Sequence, residues 1–189
     1  MAKLYFRYGA MGSSKTANAL MVRYNYLEKG KTPIILKPKI ECRDGKKIIR
    51  SRIGLEAECE FVEDFILNKA QYNKYDAVIV DEAQFLSSDV IDQLAAIVDD
   101  YKIPVICYGL RTDFQGHFFA GSKRLMEIAD VIEEIPTICW CGKKAQFNAR
   151  VKNGKVVRDG DTVELGGNES YTSLCRKHYL SGELAPETK

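Results

Sequence analysis

No apolar run in this 189-residue chain approaches the roughly 20 residues that a membrane-spanning helix requires. No basic-plus-apolar segment opens the chain either, so a cytoplasmic protein with no membrane partner is expected. An excess of one charge is also missing. The 28 lysines and arginines against 26 aspartates and glutamates leave a formal charge of +2, too little for an electrostatic footprint on duplex nucleic acid or an anionic membrane. Small-molecule partners are therefore expected, and no nucleic acid. No internal repeat is found. A hydrophobic share of 46% with 29% charged residues describes a soluble globular protein, and the length suits one α/β domain with a small appendage. Six cysteines in a reducing compartment should then be free thiols or metal ligands.

What is present is concentrated near the start. Gly9-Ala10-Met11-Gly12-Ser13-Ser14-Lys15-Thr16 follows the apolar run 4–8 and precedes a helical pattern. A strand feeding a small-residue turn that opens a helix with Lys-Thr is the context of a phosphate cradle. Small residues let backbone N–H groups approach the phosphates, Lys15 reaches the β- and γ-oxygens, and the Thr16 hydroxyl can ligate Mg²⁺. Ser14 stands where glycine is usual, and serine tolerates positive φ less well. The ordinary alternative is a Gly/Ser-rich turn with an incidental lysine.

Beyond the cradle, Leu20, Met21, Tyr24 and Leu27 share a helical face read as core, and Gly30 ends that helix. Residues 33–36 read as a buried strand. Residues 37–52, around an Asp44-Gly45 turn, carry too few apolar side chains to pack and are expected to be mobile. Helices are expected at 61–70, 89–101 and 123–132, and strands at 76–80 and 104–108. That alternation implies a parallel sheet covered on both faces, with ligands at the carboxyl ends of its strands. The composition shifts at Pro136, after which Asn153-Gly154 and Asp159-Gly160 mark turns of a small β-hairpin module. Three parts are expected: 1–136 as the ATP-binding domain, 137–182 as the appended module, and 183–189 as a disordered tail.

Two constellations carry chemistry. The strand 78–80 ends in Asp81 and Glu82; an acid at that place holds Mg²⁺, which suits Asp81, and its neighbour can serve as a general base near the γ-phosphate. An exposed pair of strand-end acids is the plain alternative. Cys139-Trp140-Cys141 and Cys175-Arg176-Lys177-His178 form two tight pairs suited to a structural Cys₃His zinc site. Chance clustering is the alternative there, but so small a module with few large apolar residues needs a staple. Cys107 reads as a buried hydrophobe, Cys42 and Cys59 have no evident partner, and His117 is read as a loop residue without a role. Phe85, Leu110, Phe114, Phe118, Phe119 and Tyr171 lie on loops at the ligand-bearing end, where core packing and a pocket for a flat ring are both open.

With these motifs on the page, the chain resembles the cellular-type (type II) thymidine kinases, particularly the bacterial ones. The resemblance spans nearly the whole length, through the Tyr8-Gly9-Ala10-Met11 cradle, Ser51-Arg52-Ile53-Gly54-Leu55, Asp81-Glu82-Ala83-Gln84-Phe85, Tyr108-Gly109-Leu110-Arg111-Thr112-Asp113-Phe114, and Gly166-Gly167-Asn168-Glu169-Ser170-Tyr171 running into Cys175 and His178. It implies a P-loop, RecA-like parallel sheet flanked by helices, with a small C-terminal zinc-binding β-hairpin module. It further implies transfer of the γ-phosphate of ATP to the 5′-hydroxyl of thymidine, with deoxyuridine possible, in pyrimidine deoxynucleoside salvage. Glu82 becomes the base, and Cys139, Cys141, Cys175 and His178 the zinc ligands. ATP is assigned to residues 9–16, Arg43, Asp81, Glu82, Ala83 and Gln84. The nucleoside falls to Phe85, Leu110, Phe114, Phe119 and Tyr171, with Thr162, Val163, Glu164, Leu165 and Gly166 on a lasso loop. Glu41 and Arg43 match an acid-x-arginine pair in which aspartate is usual. A homotetramer and feedback inhibition by thymidine triphosphate are implied too. Two other classes remain: a nucleic-acid-stimulated P-loop ATPase, which lacks a basic stripe with interleaved aromatics, and a non-catalytic nucleotide-binding regulator, which would not require Glu82.

Overall fold

A computed structural model describes residues 1–41, 47–160 and 171–186. Cys42, Arg43, the Asp44-Gly45 turn, the 162–166 stretch and the end of the tail lie outside those residues.

Runs of β-branched and aliphatic residues with no polar alternation form a sheet buried on both faces. β1 (Leu4–Tyr8), β2 (Pro33–Lys37), β5 (Glu60–Phe61), β6 (Ala77–Val80), β7 (Val105–Gly109) and β8 (Val131–Glu134) pair in the order β5-β2-β6-β7-β1-β8. Every pairing is parallel. β7 thus separates β1, which feeds the cradle, from β6, which carries the acid pair, as expected of the RecA-like class.

Alternate side chains divide two cores. Leu4, Phe6, Ile34, Leu36, Val78, Val80 and Val105 point to one face, under α2 (Val62–Leu67), α3 (Ser88–Tyr101) and α4 (Ala120–Ile128). Ile35, Ile79, Ile106 and Tyr108 point to the other, against Ala19 and Leu20 of α1 (Lys15–Glu28). That second face also receives Ile49 from a hairpin of β3 (Ile48–Arg50) and β4 (Glu56–Glu58).

Three expectations change. Of the α1 stripe, only Leu20 is buried; Met21, Tyr24 and Leu27 are 54%, 59% and 43% exposed. The buried side is made instead by Ala17, Ala19 and Leu20, whose small members let the helix approach the sheet and turn the larger residues outward. The supposedly unpackable 37–52 stretch, where described, holds β3 and buries Lys37, Glu41 and Ile49. A buried Lys37 ammonium escapes a sequence argument that counts only apolar residues. Finally, the helix expected over 123–132 ends at Ile128, and Val131 and Ile132 enter β8. Ala129 is already extended, and Asp130 accepts the Leu4 N–H at 2.7 Å, fixing the start of the edge strand.

The remaining elements are β9 (Thr137–Ile138), β10 (Lys144–Ala145), β11 (Phe147–Lys152), β12 (Lys155–Val157), β13 (Tyr171–Leu174) and α5 (Arg176–Ser181). Asn153 and Gly154, both at positive φ, make the two-residue turn between β11 and β12. Among the described residues no helix is long and apolar enough to cross a membrane.

Candidate active site and metal centre

The loop between β1 and α1 reverses direction by placing Ser14 at φ 60°, a left-handed conformation that costs a non-glycine residue about 1–2 kcal/mol. Lys15 folds back over this loop and is nearly buried. Its ammonium donates to the carbonyls of Gly9 at 3.2 Å and Ala10 at 2.9 Å and to the Ser13 hydroxyl at 3.2 Å. These are acceptors that phosphate oxygens can replace.

The parallel register sets β6 beside β2, and Asp81 donates its N–H to Leu36 at 2.9 Å. The Asp81 carboxylate, buried, receives the Thr16 hydroxyl at 2.8 Å. Burial first, and then the charge of Glu82, pushes Asp81 up to about 7. Glu82 itself sits at φ 53°, a second left-handed non-glycine residue, which turns its carboxyl out of the strand line. Gln84 holds that carboxyl: its amide nitrogen donates to Glu82 Oε2, and its amide oxygen accepts the Leu110 N–H at 3.0 Å. The side chains of Ala83 and Gln84 are buried, so Gln84 faces Glu82 and the β7 end rather than solvent. Gly109 is required by this contact, since a β-carbon there would lie 2.7 Å from the Gln84 amide oxygen. Ser122, which the sequence reasoning missed, donates to the Leu110 carbonyl at 2.5 Å and completes the hold on that residue.

The aromatic candidates separate. Phe85 and Phe119 meet edge to face with centroids 5.8 Å apart. Phe114 is buried, and its carbonyl accepts the Tyr179 hydroxyl at 2.7 Å. Phe118 is half-exposed and joins neither group. Arg150, also missed, joins Phe114 to Tyr171: its guanidinium lies 3.9 Å from the Phe114 ring centroid, and Nε donates to the Tyr171 hydroxyl at 2.9 Å. Its only sequence signal was an arginine inside the strand-like run of β11, which does not name these partners. Asn148, on the same strand, accepts the Met11 N–H at 2.8 Å and donates to the Thr112 carbonyl at 3.0 Å.

Cys139, Cys141, Cys175 and His178 place their ligand atoms within 4.8 Å of one another. Cys139 Sγ lies 3.4 Å from His178 Nδ1, and Cys141 Sγ lies 4.0 Å from Cys175 Sγ. A zinc tetrahedron with Zn–S bonds of about 2.3 Å has edges near 3.8 Å, so the four groups fit the metal with little movement. The backbone N–H of His178 donates to Cys175 and, with contacts from the Cys141 and Cys139 thiols and the Lys177 N–H, holds the Cys175 thiol below the ordinary cysteine range. The imidazole Nε2 of His178 faces Glu183 at 3.6 Å, while Trp140 stacks on the ring at 4.3 Å and donates to the Glu183 carbonyl at 3.4 Å. Glu183 and the partly buried Leu184 pack here, so the chain stays engaged past the expected start of the tail. Cys59 and Cys107 are buried thiols, pushed up by burial to about 11 and about 12 respectively, as inert core residues should be. His117 is exposed in its loop.

Comparison with known proteins supplies the family. The family model described as "Thymidine kinase" matches residues 2–179. A thymidine kinase of Shewanella oneidensis is 46% identical over 186 residues, covering 95% of this chain and 97% of its own. One from Streptococcus pyogenes is 43% identical over 189 residues, with 97% and 100% covered. One from Francisella tularensis is 43% identical over 194 residues, with 96% and 98% covered.

Proposed function

The chain belongs to the thymidine kinase family, an ATP-dependent phosphotransferase, and we propose that it transfers the γ-phosphate of ATP to the 5′-hydroxyl of thymidine, with deoxyuridine as a second acceptor. The observation that carries this reading is the meeting of three parts at one sheet end. The cradle presents Lys15, the Thr16 hydroxyl lies on Asp81, and Glu82 is held outward by Gln84 beside them.

Residues 9–16 bind the triphosphate, with Lys15 exchanging its loop carbonyls for the β- and γ-oxygens. Thr16 and Asp81, already in mutual contact, are the residues to hold Mg²⁺. Mg²⁺, when bound with ATP, neutralises charge on the phosphate chain. Glu82 accepts the proton of the 5′-hydroxyl as its oxygen bonds to the γ-phosphorus and the bond to the β–γ bridging oxygen breaks, leaving ADP and the nucleoside monophosphate. Arg43 is assigned to the phosphates. Phe85, Leu110, Phe114, Phe119 and Tyr171, with residues 162–166, are assigned to the base and sugar. Arg150 bridges two of them, lying over the Phe114 ring while its Nε donates to the Tyr171 hydroxyl. Zinc on Cys139, Cys141, Cys175 and His178 is structural, stapling a core too small to hold the module alone.

The enzyme acts in cytoplasmic salvage of pyrimidine deoxynucleosides and is inhibited by thymidine triphosphate occupying the same site. It assembles as a homotetramer, which gives the exposed Met21, Tyr24 and Leu27 face of α1 a partner. The test is ADP release with thymidine, with deoxyuridine, with deoxyguanosine, with single-stranded DNA and with no acceptor. Release confined to thymidine and deoxyuridine supports the reading. Release stimulated by single-stranded DNA, or independent of any acceptor, defeats it.

A further inference from the structure

The β3–β4 hairpin delivers a charge to the cradle. Its tip is a closed turn, in which the Ser51 N–H donates to the Leu55 carbonyl at 2.8 Å and the Leu55 N–H returns to the Ser51 hydroxyl at 3.0 Å. Its root is pinned from within the core. The buried Lys37 ammonium donates to the Ile48 carbonyl at 2.7 Å, and the Cys59 N–H donates to the Lys47 carbonyl at 3.0 Å. Along the hairpin, Arg50 engages Glu56 across the strands at 2.9 Å. Arg52, at the tip, is turned toward the phosphate loop: a β-carbon built on Gly12 would have Arg52 Nη1 as its nearest neighbour, 3.9 Å away. Gly12 is three residues before Lys15 and exposed, so the guanidinium lies beside the open rim of the cradle.

We propose that Arg52 is a phosphate-binding residue of the nucleotide site, donating from its guanidinium to the triphosphate and adding a further cation to Lys15 and the assigned Arg43. The inference rests on the cradle being the nucleotide site. A guanidinium is charged at every working pH, and its planar fork of N–H donors matches two phosphate oxygens. A hairpin fastened at root and tip reduces the ordering cost of bringing it there.

The experiment is calorimetric titration of the full-length, zinc-replete protein with a non-hydrolysable ATP analogue plus Mg²⁺, and separately with thymidine. The parent is compared with Arg52→Ala, Arg52→Lys and Arg50→Ala. Loss of one charge-assisted contact should weaken analogue binding about tenfold or more in Arg52→Ala, with partial recovery in Arg52→Lys. Arg50→Ala, which removes the same net charge nearby, should stay within twofold, and thymidine affinity should be unchanged throughout. Unchanged analogue affinity in Arg52→Ala, or an equal loss in Arg50→Ala, would overturn the proposal and leave the cradle intact. A parent protein that failed to bind the analogue would overturn the nucleotide reading and this inference together.

Discussion

The Thr16 hydroxyl donates to Asp81 Oδ2 at 2.8 Å, tying the first turn of α1 to the end of β6 across the intervening strand β7. This bond gives a buried carboxylate one partner while burial and the adjacent Glu82 charge work against its ionisation.

A pH dependence follows. The Asp81 carboxyl is raised in the folded chain to about 7, against about 3.9 for an unperturbed aspartate. Between those values the native state holds more protons than the unfolded state. The stabilising share is therefore full at acid pH and is lost as pH rises through about 7. Asp81→Asn should flatten this slope, so that thermal midpoints of the nucleotide-free variant exceed those of the parent at pH 8 and converge with them near pH 4. Parallel midpoint curves across that range would contradict the assignment.

Glu82→Gln preserves the shape that Gln84 grips while removing the proposed base. Turnover should fall about 10²- to 10⁴-fold with ATP binding retained. Activity within a factor of a few of the parent, measured by product formation under saturating substrates, would remove Glu82 from the reaction.

Ser14 adopts the left-handed conformation in which glycine is usual. Relief of about 1–2 kcal/mol of strain is partly offset by about 0.5–1 kcal/mol of glycine's extra unfolded-state entropy. Ser14→Gly should therefore leave the melting temperature unchanged or slightly raised and activity equal or higher. Ser14→Val, branched at the β-carbon, should lower the midpoint clearly. A large activity loss in Ser14→Gly would show that the hydroxyl itself is used.

One zinc per chain is expected by elemental analysis. Glu183→Ala should weaken zinc retention about tenfold in competition with a chromophoric chelator, because the carboxylate orients His178 from its second nitrogen. Equal retention in variant and parent would confine Glu183 to a surface role.

Tyr24→Glu places a charge in the exposed apolar stripe of α1. It should shift the proposed tetramer toward smaller species in sedimentation experiments, with little effect on the melting of the subunit itself. An unchanged sedimentation profile would assign the stripe to some other purpose.

Much of this architecture was legible because its signals are local. The cradle, the acid pair at a strand end and the paired Cys and His residues are each a short segment whose chemistry demands that spacing. What escaped was set by tertiary contact. The orientation of α1 depends on how closely Ala17 and Ala19 let it approach the sheet, which no periodicity reports. The burial of Lys37 depends on Glu41 and the Ile48 carbonyl being at hand. Val131 and Ile132 became a strand because an open edge at β1 was waiting for them. Ser122, Asn148 and Arg150 act on segments far along the chain, and nothing beside them in sequence names their partners.

Asn148 has a consequence for metal economy. Its side-chain amide is shared between Met11 of the phosphate loop and Thr112, while its strand β11 also pairs with β13, the strand that leads directly into Cys175. One strand thus links the Cys₃His cluster to the loop proposed to hold the triphosphate. Coupled binding is reciprocal: whatever factor zinc adds to nucleotide affinity, nucleotide must add to zinc affinity. Under the proposed assignments, favourable coupling would make the nucleotide-free protein the readier to release zinc.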